Sequence, residues 1–275
     1  MFKRHILVTG STDGIGRQAL GELSQNKENF VIIHGRSQQR CDEAVKFIKE
    51  KFQNSGENLG TIVGDFGNMK NIPKMAAEIE QKFPKLNVLL CNAGVLNPKR
   101  QVSENGLEMA FQVNHLAHFL LVNKLVELLK KNAPSRIIVV SSLCHAWHPI
   151  EWEDLQSESH YEKYEQYSKT KLMNHMFGFK LAKKLEGSGV DCNVMEPGVI
   201  ETKLLRNGGF SGSPVSQGAI TEVYLSQSED VKGKNGKYFD SRKKEIGCFK
   251  DATNVEFQDR LWKISEEMCQ KLGVW

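Results

Sequence analysis

Thr9-Gly10-Ser11-Thr12-Asp13-Gly14-Ile15-Gly16 is the stretch on which the fold turns. It separates a short apolar run, Ile6-Leu7-Val8, from an amphipathic run that begins at Ile15. The first reads as a buried strand over 5–9 and the second as a helix over 15–24. Glycines between them let the backbone turn tightly and approach a pyrophosphate. The helix amino terminus then offers unpaired N–H groups and the positive end of its dipole. A strand, a glycine turn and a helix in this order read as a dinucleotide site.

Working outward, the alternation continues. Strands are expected over 30–34, 61–64, 88–91, 136–141 and 190–195, with a short one over 237–240. Helices are expected over 38–52, 72–83, 107–129 and 164–185. Near-continuous apolar strands separated by helices indicate a parallel sheet covered on both faces. With right-handed crossovers this gives an α/β fold: a single Rossmann-like, doubly wound parallel sheet with helices on both faces, spanning 1–275 as one domain. No internal repeat, low-complexity tract or interdomain linker interrupts it. The stretch 208–214, rich in Gly and Ser, follows a strand and is expected to be a mobile lid.

The chain has 275 residues, 40% hydrophobic and 25% charged, with a net charge of +4. These are ordinary values for a globular protein with a substantial core. No basic arm points to nucleic acid as a partner. The six cysteines, Cys41, Cys91, Cys144, Cys192, Cys248 and Cys269, show no paired spacing, which suits reduced thiols. The apolar run near the amino terminus is too short for a signal or a membrane span, and no later stretch reaches spanning length. The expectation is a soluble, cytoplasmic protein with no transmembrane segment.

The end of the second strand sets cofactor choice. A carboxylate there, about 20 residues past the glycines, would bind the adenosine ribose hydroxyls. This chain has His34-Gly35-Arg36-Ser37 instead. The Arg36 guanidinium is suited to a 2′-phosphate, which favours NADP over NAD. Asp13, in the glycine turn, is a mild point against, since its charge is unwelcome near a phosphate.

Tyr167 and Lys171 stand four residues apart, on one face of the expected helix. A cation beside a phenol favours the phenolate and draws its pKa down. A phenol so tuned exchanges a proton with a carbonyl oxygen or an alcohol.

With the glycine turn, Asn92-Ala93-Gly94 and the Tyr167/Lys171 pair, the chain resembles the short-chain dehydrogenase/reductase family over nearly its whole length. Asp65, Asn114, Ser142 and Pro197-Gly198 fall in the family's order. Gln217-Gly218-Ala219, Val223-Tyr224-Leu225, Gly236-Lys237-Tyr238-Phe239 and Asp154-Leu155-Gln156-Ser157 resemble the retinol dehydrogenase-like branch. The resemblance implies an NADP(H)-dependent oxidoreductase acting on a small-molecule alcohol or carbonyl. Tyr167 would be the general acid/base. Lys171 would lower its pKa and hold the nicotinamide ribose, and Ser142 would bind the substrate oxygen. Asn114 would anchor a water in a relay to Lys171. The cofactor would meet Gly10, Ser11, Thr12, Asp13, Gly14, Ile15, Gly16 and Arg36, with Asp65 and Phe66 at the adenine and Asn92, Ala93 and Gly94 along the adenosine ribose. Val199 and Thr202, after Pro197 and Gly198, would hold the carboxamide. A homo-oligomer through the helices over 107–129 and 164–185 is also implied. Two departures stand out: Thr170 where the family commonly has Ser, and Glu196 where it often has Asn or His, which puts a carboxylate near the nicotinamide or the pocket.

Other residues admit blander readings. His145, His148 and His160 are irregularly spaced, with no acidic or thiol partner set for a metal. Trp147 and Trp152 are either an apolar pocket wall or simple packing, and Cys144 either faces the pocket or is an inert thiol. His115 and His118 read as packing or surface residues. Apolar Trp147, Trp152, Leu204, Leu205 and Phe210 favour a lipophilic substrate such as a retinoid, steroid or xenobiotic. The rival function is a catalytically silent nucleotide-binding regulator with the same fold; such proteins typically lose Tyr, Lys or Ser, and here all remain.

Overall fold

The computed structural model describes residues 2–208 and 211–275. Seven parallel strands form one sheet: β1 (Arg4–Val8), β2 (Asn29–Gly35), β3 (Leu59–Val63), β4 (Val88–Cys91), β5 (Ser135–Val140), β6 (Val190–Met195) and β7 (Tyr238–Phe239). Their order is β3-β2-β1-β4-β5-β6-β7. The winding reverses between β1 and β4, which opens a crevice outside the strand carboxyl ends. Ile6, Leu7 and Val8 of β1 have no solvent exposure, as a strand covered on both faces requires.

One face carries α1 (Gly14–Leu23), α2 (Gln38–Lys51) and α7 (Val215–Gln227). The other carries α3 (Asn71–Lys82), α4 (Ala117–Lys131), α5 (Lys163–Lys184) and α8 (Val255–Lys271). A short α6 (Lys203–Gly208) follows β6. The expected doubly wound parallel sheet is therefore present, with most boundaries within two residues.

Three differences stand out. The helix expected over 107–129 enters through a π-helical turn, Phe111–Leu116, before α4. Helices α7 and α8 had no expectation. The buried side of α7 is largely small or polar, with Gly218, Ala219, Thr221, Glu222 and Ser226, so it lacks an apolar stripe. Helix α8 does carry an apolar stripe, Phe257, Leu261, Trp262, Met268 and Cys269 at helical spacing, so its pattern was readable in the sequence.

Helix α8 lies across α4 and α5. Trp262 meets Phe119 at 4.9 Å and Phe177 at 6.0 Å between ring centroids, and Trp275 stacks on Phe119 at 5.5 Å. Ser265 meets His115 Nε2 at 2.8 Å, and Lys180 pairs with Asp259. The surface on which subunit packing was expected is thus covered by the chain's own carboxyl-terminal helix. Phe177 is core, and His115 and His118 are both fully buried. The segment expected to be a lid is tied back where it is described: Ser213 N–H donates to Val199 and Glu201 N–H to Ser213. Residues 209 and 210, including Phe210, lie outside the described residues. Among the described residues no helix is long and apolar enough to cross a membrane.

Candidate active site

The crevice holds a cleft of about 790 Å³. At one end the glycine turn leaves β1. Gly10 has φ +64, and a Cβ there would sit 2.8 Å from Ala93 Cα, so only glycine fits both the turn and its neighbour. Asn92 braces the turn from β4, donating from Nδ2 to the Thr9 carbonyl at 2.8 Å, while its N–H donates to Thr9 Oγ1 at 2.9 Å. Asp13 caps α1 by accepting from Gly14 N–H at 2.9 Å. Burial opposes its ionisation, but Lys203 at 2.6 Å, the Gly14 N–H and Arg17 at 3.4 Å hold the carboxyl below its ordinary value. Its charge is thus already neutralised, which removes the objection raised on sequence.

Arg36 and Arg40 line the cleft beyond β2, and neither forms an ion pair with another described residue. His34, whose role sequence reasoning missed, sets this corner. Its Nδ1 accepts from Gly10 N–H at 2.9 Å, so Nε2 carries the proton donated to the Gly64 carbonyl at 2.8 Å. Its ring lies 4.7 Å from Phe66. Burial drives its pKa down to about 4, so it stays neutral. Asp65 is exposed and accepts from Gly67 N–H.

At the other end, Tyr167, Lys171 and Ser142 converge. Ser142 closes β5 and caps a 3₁₀ turn, Leu143–Ala146, with Oγ accepting from Cys144 N–H at 3.2 Å. The Ser142 hydroxyl is near enough to the Tyr167 phenol to lower its pKa. Lys171 Nζ lies 5.5 Å from the Tyr167 ring centre and donates to the Val140 carbonyl at 3.1 Å. Both side chains are buried, Tyr167 at 8% exposure and Lys171 at 3%.

The expected tuning runs differently. Burial lowers Lys171 to about 8. Burial also pushes the Tyr167 phenol well above its ordinary value, against the opposing influence of the Ser142 hydroxyl. Lys171 therefore does not draw the phenol down, because desolvation dominates at Tyr167.

Most of the expected residues line this one cleft: Gly10, Thr12, Asp13, Gly14, Ile15, Gly16, Arg36, Asp65, Phe66, Asn92, Ala93, Gly94, Ser142, Tyr167, Lys171, Pro197, Gly198, Val199 and Thr202. Two do not. Ser11 turns inward, its hydroxyl donating to the Val8 carbonyl at 2.7 Å and accepting from His34 N–H at 3.0 Å. Asn114 sits in the π-helical turn behind the wall. Its amide accepts from Val95 N–H at 2.7 Å and donates to the Val95 carbonyl and to Thr170 Oγ1, both at 3.0 Å. Thr170 in turn donates to the Tyr167 carbonyl at 2.8 Å, so its hydroxyl links Asn114 to the Tyr167 turn. His118 Nδ1 lies 3.1 Å from the Asn114 carbonyl and its Nε2 2.8 Å from Thr9 Oγ1, joining the two ends of the cleft.

The outer cleft is apolar, with Leu96, Met109, Leu143, Trp147, Leu204 and Leu205. Trp152 is elsewhere: it packs on Phe257 and Arg260 of α8. Glu196 does not face the pocket. Its oxygens accept from Gly198 N–H at 2.6 Å and Ser241 N–H at 2.9 Å, so it shapes the Pro197-Gly198 turn. Cys144 lines the cleft, with burial raising its thiol pKa. His145 is buried and stacked on His175, while His160 is exposed.

Comparison with known proteins agrees with this architecture. The family profile described as short chain dehydrogenase matches residues 4–209. Human retinol dehydrogenase 14 is 35% identical over 294 residues, covering 98% of this chain and 87% of that protein. Human retinol dehydrogenase 13 is 34% identical, covering 96% of this chain and 83% of its own length. Among solved structures, a Mycobacterium paratuberculosis protein superposes with a TM-score of 0.80 at 24% identity, covering 98% of this chain and 94% of that one. A short-chain dehydrogenase from Shigella flexneri, complexed with NADP, superposes with a TM-score of 0.71 at 22% identity, covering 88% and 98%. At these identities the structural likeness speaks for the fold.

Proposed function

The chain belongs to the short-chain dehydrogenase family, retinol dehydrogenase-like, and on that premise we propose that it is an NADP(H)-dependent oxidoreductase for lipophilic alcohols and their carbonyl partners. One observation carries this reading: Tyr167, Ser142 and Lys171 meet in the same cleft whose far wall is the glycine turn and Arg36.

The residues present fit a dinucleotide. The turn at Gly10 has no room for a side chain, and the α1 amino terminus opens beside it. Arg36 and Arg40, uncommitted among the described residues, suit a 2′-phosphate, and the Shigella neighbour's NADP accords with that choice. When bound, the nicotinamide cofactor supplies or accepts the hydride.

The chain's own residues manage the oxygen. In reduction the Tyr167 phenol gives its proton to the carbonyl oxygen as the carbon becomes an alcohol; in oxidation the phenolate takes the proton back. Ser142 Oγ holds that oxygen beside the phenol. Lys171 Nζ lies behind the Tyr167 ring, where its charge favours the phenolate once the proton has left. Asn114 holds Val95 and Thr170, and its carbonyl has a second lone pair for a water leading towards Lys171. The apolar outer cleft excludes water and favours a hydrophobic substrate.

The test is NADPH oxidation by the purified protein across an aldehyde and ketone panel that includes retinal. Turnover with apolar carbonyls and preference for NADPH over NADH are expected. NADPH binding without turnover on any member of the panel would sink the reading in favour of a silent binding protein.

A further inference from the structure

Behind Ser142, on the side away from the cleft, lies a column of buried aromatic residues that the chemistry above does not use. His145, the third residue past Ser142, is 5% exposed. Its Nδ1 lies 2.8 Å from the Ser142 carbonyl, and its Nε2 receives the Phe249 N–H at 3.2 Å. A carbonyl only accepts and an amide N–H only donates. The ring is therefore fixed as the Nδ1–H tautomer, with both nitrogens occupied. Its face lies on His175, at 3.9 Å and 18° between rings, and His175 Nδ1 sits 2.7 Å from Ser141 Oγ. The Tyr238 ring of β7 stands edge-on to both.

The turn that carries Ser142 needs such support. It is a single four-residue 3₁₀ turn, a form with little stability of its own. The Ser142 hydroxyl faces Tyr167, while the Ser142 carbonyl is held from behind by the His145 ring and by the His145 N–H at 3.1 Å. Rotating that peptide swings the hydroxyl, and reacting groups tolerate displacements of only about 0.5 Å. Neither His145 nor Phe249 lines the cleft, so neither touches substrate.

We propose that His145 is a positioning residue: clamped between the Ser142 carbonyl and the Phe249 amide, it sets the Ser142 hydroxyl against Tyr167 and makes the geometry of the site depend on the segment after β7. The proposal rests on the oxidoreductase reading above. Burial holds both histidines below their ordinary pKa, consistent with a neutral ring whose Nε2 accepts.

Two pairs of variants separate the two ends of the clamp. His145→Asn keeps a donor near the Nδ1 place, and His145→Gln keeps an acceptor near the Nε2 place. Phe249 has φ −60, which proline adopts, so Phe249→Pro removes the N–H while Phe249→Ala keeps it. The readouts are kcat, KM, NADPH affinity and melting temperature. His145→Ala and His145→Gln are expected to lose about 10²-fold in kcat with NADPH affinity unchanged, the scale set by a misplacement of about 1 Å. His145→Asn should recover at least about tenfold of that loss, and Phe249→Pro should fall about tenfold below Phe249→Ala in kcat. The proposal is overturned if Asn and Gln are equally active, if Pro and Ala at 249 have equal kcat, or if the kcat losses follow NADPH affinity instead. If His145→Ala fails to fold, the Asn/Gln and Pro/Ala pairs carry the decision alone. Tyr167→Phe, run alongside, distinguishes the two levels. An active Tyr167→Phe removes the oxidoreductase reading itself, whereas an inactive one with indifferent 145 and 249 variants removes only this proposal.

Discussion

The two ends of the cleft are built on different principles. At the carboxyl ends of β1 and β2 the wall is mostly backbone, supported by Asn92 donating to the Thr9 carbonyl and His34 accepting from Gly10 N–H. At the carboxyl end of β5 the wall is side chains. Their supports come from distant parts of the chain: Asn114 to Thr170, and Phe249 to His145. The first end presents N–H groups and exposed guanidinium groups, suited to phosphate. The second buries an ammonium and a phenol, suited to proton exchange in a dry site. The end proposed to bind an anion is made from local chain geometry, whereas the end proposed to exchange a proton depends on tertiary packing.

The largest expected effect tests whether the ends are separable. Tyr167→Phe should lower kcat by about 10³-fold or more while NADPH binding, followed by fluorescence titration, stays within about twofold. A parallel loss of binding would show that the ends are one unit. Ser142→Ala comes next, with kcat down about 10²-fold, as for removal of one hydrogen-bond donor at a reacting oxygen. Arg36→Asp attacks the other end. NADPH affinity should fall about 10- to 100-fold with NADH affinity unchanged or improved and kcat at saturation preserved. An unaltered NADPH/NADH ratio would show that Arg36 does not read the phosphate.

Two smaller effects probe the supports. Trp262→Ala should cost about 2 kcal/mol by urea denaturation, below the range for a fully buried tryptophan because the ring is only partly covered. A new concentration-dependent dimer in the same variant would show that α8 had been masking a subunit surface on α4 and α5. Glu222, buried in α7 with neither oxygen hydrogen-bonded to a described residue, gives a pH test. Burial raises its carboxyl to about 8, against the pull of Lys171. Between the ordinary carboxylate pKa of about 4.3 and that value, the folded chain keeps a proton that the unfolded chain has lost. Stability therefore falls as pH rises through that window. Glu222→Gln should raise the denaturation midpoint at pH 8.5 and do much less at pH 5; an equal gain at both would rule out ionisation as the cause.

The residues that were legible share a property. The glycine turn, Arg36 and the Tyr167/Lys171 spacing each announce themselves within a few positions, because a turn or one helical face brings their parts together; Ser142 came only from the resemblance to the family. His34 was quoted only as part of the strand end, since nothing local says that its ring will span Gly10 and Gly64. The sequence leaves Trp152 open between pocket wall and simple packing, and its contacts with Phe257 and Arg260 of α8 decide for packing. Glu196 was read as a pocket charge, yet two backbone amides take both its oxygens. The lowered phenol pKa was argued from the neighbouring cation alone. Spacing says nothing about desolvation, and burial is the stronger influence on the Tyr167 phenol.

By itself the sequence determined the parallel α/β sheet, the glycine turn between β1 and α1, and the placing of Tyr167 and Lys171 on one helical face. These follow from periodicity, from glycine's conformational freedom and from helical spacing, all of which act over a few residues. Only the tertiary structure decided that α8 covers α4 and α5, that Asn114 braces from behind rather than facing the cleft, and that His145 stands between Ser142 and Phe249. Each of those depends on contacts across tens to hundreds of positions, where burial and shape, rather than local propensity, select the partner.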